Sequence, residues 1–204
     1  MKNIFTENPK DDPGDLHDKF KWDFDEKCMV SLREGGHVYK MNDDDKKNLK
    51  ILTFLRYEIE RLCIELDNIK HLYKDDKFLR PRIKLFLEIH KNNKGKNYTL
   101  NEIPFYVLKD QYEGLNKPKM RYYSNKESIG KDGNIRCKRR DIFLKLRTPT
   151  GWMSKKFIRN LILHEIAHTG CNHVQWRPDD HGDDFKVFES VLVFVANDIN
   201  FFPV

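Results

Sequence analysis

Apolar residues recur along the chain with two periods, and the periods locate the elements. Leu52, Leu55, Ile59, Leu62, Leu66 and Ile69 follow 3-4-3-4-3 spacing, with Glu58, Glu60, Arg61 and Glu65 at other positions. This predicts a helix from about residue 45 to 71. Its seam is about two and a half heptads long, short of the three or four repeats a coiled coil sustains, so it is expected to pack on the protein's own core. A second helix is predicted over 154–169. Ser154 stands at its N-cap, Phe157, Ile158, Leu161 and Ile166 supply apolar faces, and Gly170 sits where a C′ glycine belongs. A last helix is predicted over 184–199, burying Phe185, Phe188, Val191, Leu192, Val195 and Ile199.

Strand signals are fewer. Residues 141–147 (DIFLKLR) read as a strand, followed by a TPTG turn at 148–151. Ile83, Leu85, Leu87 and Ile89 alternate as in a strand, yet Pro81 followed by RIKLFLEIH also suits a helix start. A hairpin around Gly35-Gly36 is expected within 24–40, KNNKGKN reads as a turn or loop, and 110–135 is rich in Gly, Asn, Lys and Pro. No internal repeat or low-complexity tract appears. The mixture implies an α+β fold.

A chain of 204 residues fits one domain. Residues 1–20, with Pro9, Pro13, Gly14 and alternating charges, are expected to be disordered or loosely attached. Residues 21–204 form a single domain, with a helical and mixed part over 21–110 and the chemistry-bearing core over 111–204. Charged residues make up 34% of the chain and mean hydropathy is −0.76, so the surface is heavily charged. The longest apolar run, Val191–Ala196, is far below the roughly 20 residues of a membrane helix. MKNIFTENPKDDPGD has no apolar h-region, which predicts no secretory signal and an intracellular location, cytoplasmic or nuclear. Cys28, Cys63, Cys137 and Cys171 stand far apart with no CxxC pair. That excludes a disulfide scaffold and suits a reducing compartment.

Charge is unevenly placed. Residues 117–159 carry 14 Lys and Arg against 3 Asp and Glu, a net of +11, whereas 160–204 carry 2 against 7. The basic block holds Lys138, Arg139 and Arg140 in a row, with Tyr122 and Tyr123 nearby. Such a cluster is the footprint of a polyanion partner, and these three residues are the candidate nucleic-acid contacts. The competing reading is a solvated loop that balances the acidic C-terminal stretch.

The candidate chemistry lies in HEIAHTGCNHVQWRPDDHGDDF, residues 164–185, which holds four of the eight histidines. His164 and His168, four apart on a helix, project from one face and can share a cation. Glu165 lies beside that face, where it can accept a proton without being a ligand. A catalytic zinc takes three protein ligands and keeps a position for water. With Glu165 as general base, this is the pattern of metal-assisted peptide hydrolysis. The alternative is a surface helix with two solvated histidines, which leaves the clustering unexplained.

The third ligand is open between His181, His173 and an acid such as Asp180. The HExxHxxGxxH pattern fails, because Gly170 and His173 follow His168 by two and five positions rather than three and six. His181 opens HGDDF just before the last helix, which can carry it back over the site, and it is the favoured candidate. Cys171 reads as a packing residue. Asp179 and Asp180 are either orienting groups behind an imidazole or part of a solvated acidic loop.

IFLKLRTPTGWMSKKFIRNLILHEIAHTG…DHGDDFKVFESVLVFVA resembles the core of the WLM and SprT-like zinc metallopeptidases, above all the short stand-alone versions of large DNA viruses. The matching positions are Leu146-Arg147, Gly151, His164, Glu165, His168, His181 and Phe185, within roughly residues 139–199. The resemblance implies a minimal zincin-like domain with an N-terminal helical part. It also implies zinc on His164, His168 and His181, and Glu165 as base. Implied substrates are proteins or peptides associated with DNA, with the 117–159 block on the nucleic acid, in an infected host cell or a virion. The connection from His168 to His181 is longer than in cellular WLM proteins. The alternative from another class is a nucleic-acid-binding or host-interaction protein whose zinc site is structural or degenerate.

Overall fold

The computed structural model describes residues 20–23, 28–31, 43–91, 97–103, 113–118, 140–148, 150–172 and 181–203. The elements run β1 (Phe20–Asp23), β2 (Cys28–Ser31), α1 (Asp43–Ile69), a 3-10 turn (Lys70–Tyr73), α2 (Leu79–His90), β3 (Tyr98–Glu102), β4 (Gly114–Pro118), β5 (Arg140–Leu144), β6 (Arg147–Thr148), β7 (Gly151–Trp152), α3 (Lys155–Gly170) and α4 (Asp183–Asp198). The protein is thus α+β. No helix among the described residues is long and apolar enough to cross a membrane.

The seam of α1 is the core. Leu52, Leu55, Ile59, Leu62 and Leu66 are buried and join one apolar cluster with residues of α2, β3, β5, α3 and α4. The buried Glu58 of α1 accepts from Arg61 Nη1 (2.8 Å) and from the backbone N–H of Phe202 (2.8 Å), while Arg61 Nη2 donates to the Ile199 carbonyl (2.8 Å). Hydrogen-bonded charge thus tethers the C-terminal segment to α1, as burial of an ion requires.

Between the two readings of residues 83–89, α2 is a helix. Its buried positions, Leu79, Ile83, Phe86, Ile89 and His90, recur every three to four residues, and Leu85 and Leu87 are only partly buried. Asp76 Oδ1 accepts from the backbone N–H groups of Phe78 and Leu79, both at 2.8 Å, and so satisfies the donors that open the helix.

Three strands form the main sheet in the order β3-β5-β4. β5 is buried along its whole length, pairing in parallel with β3 (Leu100↔Ile142) and antiparallel with β4 (Asn116↔Ile142). The strand expected over 141–147 is split: β5 ends at Leu144, and Arg147–Thr148 turns back to pair with Gly151–Trp152 around the expected TPTG turn. The stretch rich in Gly, Asn, Lys and Pro over 110–135 contains β4. Gly114 and Pro118 look like strand breakers, but among the described residues β4 is the edge of the sheet, where both are tolerated. An early antiparallel pair was not expected. β1 pairs with β2 (Trp22↔Met29), and the turn expected at Gly35-Gly36 lies outside the described residues. The loosely attached N-terminal segment expected over 1–20 lies outside them too, apart from Phe20 in β1.

Ser154 caps α3 as expected, its Oγ accepting from the Phe157 N–H at 3.2 Å. Gly170 is not the C′ residue: it is the last helical residue, and the left-handed conformation falls at Asn172 (φ 56°). α4 begins one residue earlier than expected, with Asp183 and Asp184 in its first turn, where the helix dipole favours anions.

Candidate metal centre

Helix α3 carries His164, Glu165 and His168, and the start of α4 brings His181 to them. The three imidazoles form a triangle with ring centroids 5.1 Å apart for His164–His168, 4.9 Å for His164–His181 and 5.0 Å for His168–His181. One nitrogen from each lies within 4.8 Å of the others. Nε2 of His164 and Nε2 of His181 are 3.1 Å apart. Tetrahedral zinc with bonds of about 2.0–2.1 Å holds ligand nitrogens roughly 3.3 Å apart, so this pair already has the spacing of two ligands on one ion.

Phe185 supports the triangle. One turn into α4, its buried ring lies 5.0, 4.6 and 5.0 Å from the rings of His164, His168 and His181. The side chain that fixes the start of α4 in the core therefore also fixes the floor beneath the histidines.

Glu165, the next residue along α3, packs against β4. It is 4% exposed, and its carboxylate sits against the backbone of Gly114 in β4. Burial pushes its carboxyl pKa up to about 7, and the neighbouring His164 offsets part of that rise. Asn116, two residues along β4, donates from Nδ2 to the Glu165 carbonyl and to Thr169 Oγ1 (2.9 Å). The edge strand is thereby clamped to the helix that carries the histidines.

His164 has a carboxylate partner: its Nδ1 is 3.0 Å from Glu189 Oε1 of α4. Burial alone would lower the imidazole pKa, but the hydrogen bond to Glu189 and the charges of Glu165 and Glu189 outweigh it and the net shift is upward. Cys171, just past α3, is partly buried and its thiol pKa is raised by that burial, in keeping with a packing role.

The structure therefore brings together His164, His168 and His181, with Glu165 adjoining them. His173, Asp179 and Asp180, the other residues weighed for this site, lie outside the described residues. Lys138 and Arg139 do as well. Arg140 is a correction: it opens the central strand β5 and is 0% exposed, so its guanidinium is inside the protein and offers no surface to a phosphate. Arg147, also in the basic block, is buried against Glu102 (2.6 Å), so the surface charge of 117–159 is smaller than its sequence total.

Sequence reasoning missed Glu189, Asn116 and Gly114. For Glu189 a signal existed: it follows Phe185 by four on the last helix, hence shares the face that looks at the histidines. For the two β4 residues there was none, because their partners are about fifty positions away in a different element. No family model, no curated protein and no solved structure matches the chain.

Proposed function

We propose that the protein is a zinc-dependent endopeptidase with His164, His168 and His181 as the metal ligands and Glu165 as general base. The observation that carries this reading is the convergence of three imidazoles from two helices, with a buried carboxylate on the residue next to the first. Zinc held by three histidines supplies a Lewis acid and a water activated near neutral pH. With the metal bound, Glu165 would accept a proton from the attacking water and deliver it to the departing amine nitrogen. Asn116, by holding the Glu165 carbonyl and Thr169, keeps β4 in register with the helix while this occurs.

Metal content and hydrolysis of an unfolded protein substrate test the reading. The wild type is expected to hold about one zinc per chain and to cleave. His164→Ala, His168→Ala and His181→Ala should each lose tight zinc binding, because two remaining ligands hold the ion poorly. Glu165→Gln should keep the zinc and the fold and lose most of the hydrolysis. Equal rates for Glu165→Gln and wild type would overturn the mechanism and favour a structural zinc site in a binding protein.

The proposed substrates are proteins associated with DNA, a reading that rests on the family resemblance and on the charge of residues 117–159. Lys138 and Arg139 are the contacts proposed; Arg140, being buried, is not one of them. Lys138→Glu/Arg139→Glu should weaken DNA binding, keep the zinc, and reduce cleavage of DNA-bound substrate more than cleavage of free peptide. Phosphate contacts release counterions, so wild-type affinity should fall with salt by roughly 0.7–0.9 log units per contact for each tenfold increase. A wild-type protein that ignores DNA at low salt removes this part of the proposal and leaves the peptidase.

A further inference from the structure

We infer that Glu189 is a positioning residue for the metal site, which fixes His164 in the tautomer and orientation that present Nε2 to the ion; this rests on the zinc reading above. Three observations carry it. Glu189 Oε1 stands 3.0 Å from His164 Nδ1, the ring nitrogen remote from the other histidines. Nε2 of the same ring faces His181 Nε2 at 3.1 Å. An ionised carboxylate can only accept hydrogen bonds, so the proton must be on Nδ1, and the lone pair is then on Nε2, inside the triangle.

The topology gives this pair a further consequence. Phe185 and Glu189, four residues apart, share one face of α4, and His181, two residues before the helix begins, packs its ring 5.0 Å from that of Phe185. α4 and the segment that leads into it therefore contribute one ligand, the ring beneath all three ligands, and the acceptor that orients a ligand on α3. The two ligands of α3 do not make a site until α4 docks, and the docking that buries Phe185 sets the donor atom of His164 in the same step. A carboxylate at this distance also raises the basicity of the imidazole as a ligand.

Glu189→Leu, which removes the acceptor and keeps an apolar volume, and Glu189→Gln, whose amide oxygen still accepts from Nδ1, separate positioning from simple structural support. The full chain is titrated with zinc against a chromophoric chelator, the visible spectrum of the cobalt-substituted protein is recorded, and His164 is followed by nitrogen-15 NMR without metal. Glu189→Leu is expected to bind zinc roughly 10–100-fold more weakly than wild type with unchanged circular dichroism and an altered cobalt spectrum, and Glu189→Gln to recover most of that loss. In the metal-free protein the His164 proton should reside on Nδ1 in wild type and Glu189→Gln. Equal zinc affinity and an unchanged cobalt spectrum in Glu189→Leu would overturn the inference. Should that variant not fold, a metal-free wild type with His164 protonated on Nε2 would overturn it equally. A wild type that binds no zinc defeats the metal reading instead; the Nδ1 proton then still decides whether Glu189 orients His164.

Discussion

Gly114 and Glu165, fifty-one positions apart, share one space: a Cβ built on Gly114 would lie 2.7 Å from Glu165 Cδ and 2.8 Å from its Cγ. The glycine is needed for its missing side chain, because β4 must run directly over the carboxylate of the proposed base. Gly114→Ala should therefore displace the Glu165 side chain while sparing the histidines. The expected outcome is full zinc content with hydrolysis reduced by roughly 10²-fold, the scale of a misplacement of about 1 Å. Zinc analysis beside steady-state kinetics checks it, and unchanged kcat/KM would show that the carboxylate has room to spare.

A second glycine is constrained in the same way. A Cβ on Gly170 would lie 2.9 Å from Cδ1 and closer still to Cζ of Phe188, whose ring is wholly buried between α3 and α4. Gly170→Ala should cost about 1–3 kcal/mol of stability through overpacking, although alanine is the better helix former. Urea unfolding measures the difference. A stabilised alanine variant would mean that the two helices separate without penalty.

Glu102 and Arg147 form a buried ion pair, with Nε–Oε1 at 2.6 Å and Nη2–Oε2 at 2.7 Å, and Asn48 of α1 also donates to Glu102. The cluster joins the start of α1 to the ends of β3 and β6. Removing either partner alone leaves a buried charge, so Arg147→Met or Glu102→Leu should destabilise by about 3–5 kcal/mol. The double variant should recover much of that loss. A double-mutant cycle by chemical denaturation reads the coupling, and additive single effects would contradict it.

His90 predicts acid sensitivity. Its imidazole is wholly buried at the end of α2, edge-on to Tyr98 (4.5 Å between centroids) and tilted against Phe86 (4.7 Å). Burial, then the charges of Arg140 on β5 and Arg56 on α1, lower its pKa from 6.5 to about 3. Between those two values the unfolded chain binds the extra proton, so the stability is complete above 6.5 and is lost as pH falls toward 3. At pH 5 the loss should reach about 2 kcal/mol relative to pH 7. His90→Phe should flatten that interval in unfolding measurements at the two pH values, and identical pH slopes in variant and wild type would refute the assignment.

The sequence by itself determined the elements whose evidence is local. The seam of α1, the Ser154 cap, the last helix and the pairing of His164 with His168 each depend on residues within a few positions of one another, where helical periodicity fixes which side chains share a face. His181 was legible for a related reason, since a histidine four before a core phenylalanine is carried by the helix that phenylalanine anchors. Tertiary structure decided everything that joins distant segments. It made β4 a strand despite Gly114 and Pro118, by pairing it antiparallel with β5, at the edge of the sheet among the described residues. It turned Gly170 from a helix terminator into a close-packing site against Phe188, and it drew Arg140 out of a basic surface run into the sheet. It also set Glu189 on His164 and Gly114 against Glu165, contacts between segments whose separation in the chain carries no periodic signal. Local sequence specifies the face a residue occupies on its own element; what that face meets is set only when the elements pack and bury their apolar surface together.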